Sequence, residues 1–204
     1  MSAEGIEVIL VDVMESRVER PKKRQKRWYS RKKKYHTIKS QIVICAATKI
    51  VISVFVDCGK RHDFAIWKKT IGARVVKHIK IQADKGYQGI AKLHRNSETP
   101  KKKTKKRPLT KEEKANNRRI NSERVGVERT NCRLKRLQIL AQRYRNRRRR
   151  FGLRVSLFCG LHNFEIVNAL FPKRYIIAGR VSLSLLMLFV GSRSARYAVK
   201  WGFT

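Results

Sequence analysis

The chain has 204 residues, with 51 Lys or Arg against 14 Asp or Glu, a formal charge of +37 and an isoelectric point near 11.1. Such an excess repels itself in a compact state unless a polyanion neutralises it, so nucleic acid is the expected partner and an anionic membrane surface the second. A hydrophobic content of 42% supports one core plus an appendage, which argues against a second full domain.

Cys45, Cys58, Cys132 and Cys159 lie far apart with no paired short spacing, and the five histidines complete no zinc pattern, so free thiols in a reducing compartment are expected. The start, MSAEGIEVILVDVMES, lacks the basic region and cleavage site of a secretory signal. Within it IEVILVDV is a short β-branched run, expected as a buried strand with Asp12 near its end. RPKKRQKRWYSRKKK follows, with Trp28 and Tyr29 set among cations, where base stacking and a strand edge are both open readings. The runs YHTIKSQIVICAATK and IVISVFVDCGK are separated by almost nothing, which predicts an antiparallel hairpin. HDFAIWKKTI has helical spacing, and His62 and Asp63 suit its cap. IKIQADKGYQG then alternates Ile79, Ile81 and Ala83 before Asp84, a strand that ends on a carboxylate ahead of a glycine turn.

Beyond this point SETPKKKTKKRPLT is a basic loop interrupted by proline, at about residues 97–110, and Thr110 with Glu113 forms a capping box. No proline occurs from there to Tyr144, so one long basic helix or a broken pair is expected. Val127, Leu134, Leu137 and Ala141 would form its buried stripe, and Asn121, Arg124, Glu128 and Lys135 share another side. A basic cluster and a second apolar helix follow, RNRRRRFGLRVSLFCGLHNFEIVNALF. Residues 172–204 contain no acid and include VSLSLLMLFVG, which is shorter than the ~20 residues needed to span a bilayer.

Three carboxylates stand out: Asp12 on the first strand, Asp84 ending a later one, and Glu128 on the long helix. Acids on adjacent strands with a third from a packed helix can hold two hard divalent cations about 3.5–4 Å apart, the arrangement for in-line displacement at phosphorus. Each acid also has a plainer reading: Asp84 as a turn former, Asp12 as a strand-end residue, Glu128 as a surface acid paired with Arg124 or Arg129.

Arg124, three residues, Glu128, six residues and Lys135 resemble the signature of the DDE transposases of bacterial insertion sequences, most closely the insertion sequence five group, with Asn121 where the family usually has tyrosine. ADKGYQG resembles the second-aspartate motif and VDVMESRVERP the first, while RWYSRKKKYHTIKSQIV and GKRHDF resemble the blocks between them, so the likeness runs from about Val8 to Glu165. The resemblance implies an α/β, ribonuclease-H-like mixed sheet with flanking helices over residues 1–171, followed by a divergent tail at 172–204. It implies Asp12, Asp84 and Glu128 as catalytic and metal-binding residues, with two Mg²⁺ ions for which Mn²⁺ substitutes. Arg124 and Lys135 become phosphate or transposon-end contacts, and Arg129, Arg133, Arg136, Lys33 and His36 are further candidate DNA contacts. The implied partners are transposon ends and target DNA, bound by a homodimer or larger assembly in the bacterial cytoplasm at the nucleoid. Family members carry a helical DNA-binding region before the first aspartate, so an N-terminally truncated element of uncertain residual activity is expected. Two other classes compete: a noncatalytic basic nucleic-acid-binding protein, for which charge alone suffices, and a basic protein anchored to membrane by its apolar tail.

Overall fold

The computed structural model describes residues 6–70, 75–103 and 108–170; the apolar run of the tail lies outside them. In chain order the elements are β1 (Val8–Arg17), α1 (Gln25–Trp28), β2 (Tyr29–Ser30), β3 (Tyr35–Cys45), β4 (Val51–Cys58), α2 (Asp63–Thr70), β5 (Lys80–Ala83), β6 (Ser97–Glu98), α3 (Lys111–Arg136), α4 (Gln138–Ala141) and α5 (Phe151–Leu170). Strands β4, β3, β1, β5 and β6 lie side by side in that order, and β2 adds a short pair to the start of β3. The first three are antiparallel neighbours, as the closely spaced β-rich runs predict. β5 runs parallel to β1 and β6 parallel to β5, with α2 in the crossover from β4. This mixed α/β order is compatible with a ribonuclease-H-like fold.

Alternation along β1 divides the core. Leu10, Met14 and Val18 point to one face and pack with Val127, Leu134, Leu140, Phe151 and Val155 from the C-terminal helices. Ile9 and Val11 point to the other and pack with Trp67 of α2, Ile81, Ala83 and Tyr87. Helices cover both faces, which explains why β3 is buried along nearly its whole length.

Two expectations are corrected. β1 does not stop near Asp12 but continues to Arg17, because Met14 and Ser16 are still inward-facing and the Ser16 hydroxyl donates to the Leu140 carbonyl at 2.9 Å. The buried stripe of the long helix holds at Val127 and Leu134 and fails at Leu137 and Ala141, which are exposed. Leu137 leaves the helix with ψ near 102°, and the restarted α4 turns Leu140 inward instead.

The capping predictions hold in part. Thr110 and Glu113 form the reciprocal capping box that opens α3. His62 Nδ1 accepts from the Phe64 amide at 3.3 Å, while Asp63 is drawn to Lys39 instead. The basic loop is shorter than expected, since Ser97–Glu98 is already strand β6. All four cysteines are free, and among the described residues no helix is long and apolar enough to cross a membrane.

Candidate active site

Strand register places the first two acids. Val11 of β1 pairs in parallel with Ala83, the last residue of β5, so Asp12 and Asp84 occupy the next matched positions. Matched residues on parallel neighbours point to the same face, about 4.8 Å apart along the hydrogen-bonding direction. Here that face lies under α3.

A polar network fixes α3 over this strand edge. Gln82 on β5 donates to Glu98 of β6 at 3.2 Å and to Glu123 of α3. Arg119 joins the same two acids at 3.2 and 2.8 Å, and Lys80 reaches Glu98 at 2.9 Å. Burial raises the Glu98 carboxyl, but hydrogen bonds from Lys80, Arg119 and Gln82 outweigh it and hold the group below its ordinary range. Further back, the Asn117 amide makes two hydrogen bonds with the Lys101 backbone, at 2.8 and 3.0 Å, and ties the basic loop to the helix.

Arg124 follows Glu123 and enters the site. Its guanidinium is buried and lies 3.7 Å from Asp12 and 3.5 Å from Asp84, one ion pair to each carboxylate. Seven residues on, Asn131 Nδ2 donates to the second oxygen of Asp12 at 2.7 Å. Burial pushes the Asp12 carboxyl above its ordinary value, against the opposing pull of Arg124 and of the Val13 backbone amide, and with a further push from Asp84 and Asp63. Asp84 is about half exposed, so the pair is open to solvent on the β5 side. Tyr87 lies in the turn after Asp84; its buried hydroxyl has no hydrogen-bond partner among the described residues, and burial followed by the nearby acids raises it well above the ordinary phenol value.

Glu128 stands one turn after Arg124 and one turn before Asn131, on the stripe of α3 whose members reach Asp12. It is exposed and makes no hydrogen bond or ion pair among the described residues. The surface pair with Arg124 is thus absent, because Arg124 is turned inward to the aspartates. Among the described residues no three His, Cys, Asp or Glu side chains converge as a metal site. Asp12 and Asp84 are together, and Glu128 is beside them on the helix without closing on them.

The candidate DNA contacts fall into three places. Lys135 is exposed two turns beyond Glu128 on the same stripe, with Arg136 next to it at the helix end. Arg129 and Arg133 are on the other flank of α3, where they line a cleft with Lys49. Lys33 is exposed in the turn before β3, and His36 in β3 packs edge-on against Tyr29 at 5.6 Å. Asn131, Tyr87 and the buried Lys39, which bridges Glu15 at 3.6 Å and Asp63 at 2.7 Å, are polar residues near the site that sequence reasoning missed. Only Asn131 carried a signal, its seven-residue spacing from Arg124.

The chain is 48% identical over 159 residues to a protein from Microchaete diplosiphon described as "Probable transposase for insertion sequence element IS702". That alignment covers 78% of this chain and 57% of the relative, so the chain spans little more than half of the relative's length. No solved structure matches. The family of DDE superfamily endonucleases matches residues 11–163, a span that includes Asp12, Asp84, Arg124 and Glu128, and the chain belongs to that family.

Proposed function

We propose that the chain is the catalytic domain of a DNA transposase of the insertion sequence five group, built on a ribonuclease-H-like fold. It cleaves a DNA strand at transposon ends and joins the freed 3′-hydroxyl to target DNA. The observation that carries this reading is the register that sets Asp12 beside Asp84 under the helix bearing Glu128. The family match and the transposase relative support it.

The donor chemistry fits a hard divalent cation. Two carboxylates on neighbouring strands present oxygen donors to one spot, and a guanidinium, itself a cationic group, already lies across them. Asp12, Asp84 and Glu128 are the residues that would hold Mg²⁺, with Mn²⁺ as substitute and two ions as the full complement. A bound cation supplies charge neutralisation at phosphorus and a more acidic attacking hydroxyl. This explains an acid kept in a cationic segment: with a metal present, Glu128 aids phosphate binding.

This chain's own groups do the positioning. Asn131 fixes one oxygen of Asp12 and leaves the other facing Arg124 and Asp84. Arg124 holds the two carboxylates in register, and Lys135, exposed on the same stripe as Glu128, is placed to take a backbone phosphate. Two transposon ends must be processed together, which calls for a homodimer or larger assembly on DNA, in the bacterial cytoplasm at the nucleoid.

The test is Asp84→Asn in a Mg²⁺-dependent nicking assay. Nicking is expected to be lost while DNA binding, measured in chelator, persists. Undiminished nicking by a clean preparation of the variant would overturn the assignment, and a wild type that binds DNA but shows no metal-dependent nicking would leave a noncatalytic basic DNA binder as the better reading.

A further inference from the structure

Two strongly basic stretches that are far apart in the chain meet at one end of the sheet. Ten of the fifteen residues in 20–34 are Lys or Arg, as are six of the eight in 143–150, and neither stretch contains an acid. The backbone joins them: the Tyr144 amide donates to the Arg17 carbonyl and the Glu19 amide to the Tyr144 carbonyl, both at 2.9 Å. Tyr144 is anchored from below by an edge-on contact with Phe151 at 4.9 Å. Side chains from both runs meet as well, since Arg27 and Arg148 lie against the same Trp28 ring, at 5.8 and 5.1 Å from its centre. Burial, then Arg20 and Arg148, lowers the His36 imidazole, so His36 also feels a cation from each run.

The arrangement gathers like charges around one ring, at separations comparable with the Debye length of about 8 Å, so their repulsion is only partly screened. The pair of Arg143 with Glu19 at 3.8 Å offsets part of it. The core anchors hold the cations together despite their repulsion, which favours an external polyanion as the missing neutraliser. Position identifies the polyanion's path. β1 runs from Asp12 to Arg17 and then enters this pole, five residues at about 3.3 Å each, or roughly 17 Å. Phosphates along one strand of B-form DNA recur about every 3.4 Å.

We propose that this pole is a docking track for the DNA phosphate backbone, engaging the duplex about five nucleotides from the phosphate held at Asp12 and Asp84. The location relative to the carboxylates rests on the proposed function; the track itself does not. Trp28 serves as the floor that keeps a guanidinium from each run spread toward the solvent.

The experiment uses the full chain and a random-sequence 30-base-pair duplex in chelator, so that failure of metal-dependent cleavage has no bearing on it. Lys22, Lys23, Lys26, Arg145 and Arg147, all exposed, are changed together to Gln. A control carries the same loss of charge at exposed Lys92, Arg95, Lys111, Lys114 and Arg118. Each lost phosphate contact reduces the slope of log affinity against log salt by about 0.9. The pole variant is expected to flatten the slope by at least about 2 more than the control, and Lys22→Gln with Lys23→Gln and Lys26→Gln alone by about half of that. Equal slopes for pole and control variants would overturn the proposal. So would loss of binding to phosphatidylserine vesicles at the same sites with DNA binding unchanged, which would assign the pole to a membrane surface.

Discussion

Arg124 is ion-paired to Asp84 at 3.5 Å, and the same guanidinium is 3.7 Å from Asp12. The arginine is buried and Asp84 half exposed, so the arginine depends on the pair more than the aspartate does. Replacing it with Gln leaves Asp12 buried beside a second acid with its main compensating charge gone. Breaking a fully buried pair costs about 3–5 kcal/mol, and the exposure of Asp84 reduces this to roughly 2–3 kcal/mol. Urea unfolding of Arg124→Gln is expected to show that loss. An unchanged midpoint would mean that the pairs do not hold α3 to the strands.

Two glycines should respond in opposite directions. At Gly59 an added methyl would sit 2.7 Å from the backbone oxygens of Thr37 and Trp28, neither of which can retreat, so Gly59→Ala should destabilise by about 1–3 kcal/mol. At Gly126 the nearest atoms are the Lys49 side chain, 3.0 Å away at its flexible end. There the helix gain of Ala over Gly, up to about 1 kcal/mol, should win. Thermal melts of both variants check the pair, and the account fails if their signs agree.

Acid should weaken the fold through His162. Burial lowers this imidazole, its backbone contact with the Lys49 carbonyl at 3.3 Å opposing that only in part. The unfolded chain therefore takes up the proton first as pH falls below about 6.5. The stability contribution is complete above that value and is lost as pH falls through the lower folded value. The melting midpoint should drop between pH 7.5 and 5.5, and His162→Gln should drop less. Some loss persists in the variant, because His36 is lowered in the same direction. Identical pH dependence in wild type and variant would exclude His162 as a contributor.

The site was legible where local rules govern it. Asp84 follows a short alternating strand, Thr110 and Glu113 cap α3, and Arg124, Glu128 and Lys135 fall on one helical stripe. What the sequence could not supply was tertiary. Nothing in the local pattern says that Arg124 turns toward the aspartates, since that depends on which strand edge α3 crosses, and the Gln82–Glu123 contact settles that. The break at Leu137 has no Pro or Gly to mark it, so apolar spacing alone carries the stripe one turn too far. β1 outran its predicted end because Ser16 found a carbonyl in α4, 124 residues away.

The central claim is that Asp12, Asp84 and Glu128 act as one cation-binding set, and Mn²⁺ titration of the wild type and of Glu128→Gln, followed by electron paramagnetic resonance, tests it without requiring turnover. Glu128→Gln is expected to weaken Mn²⁺ binding at least tenfold, as Asp12→Asn and Asp84→Asn should, while Glu112→Gln at the exposed start of α3 leaves it unchanged. Binding by Glu128→Gln as tight as the wild type's would contradict the claim and reduce the site to two aspartates held by an arginine.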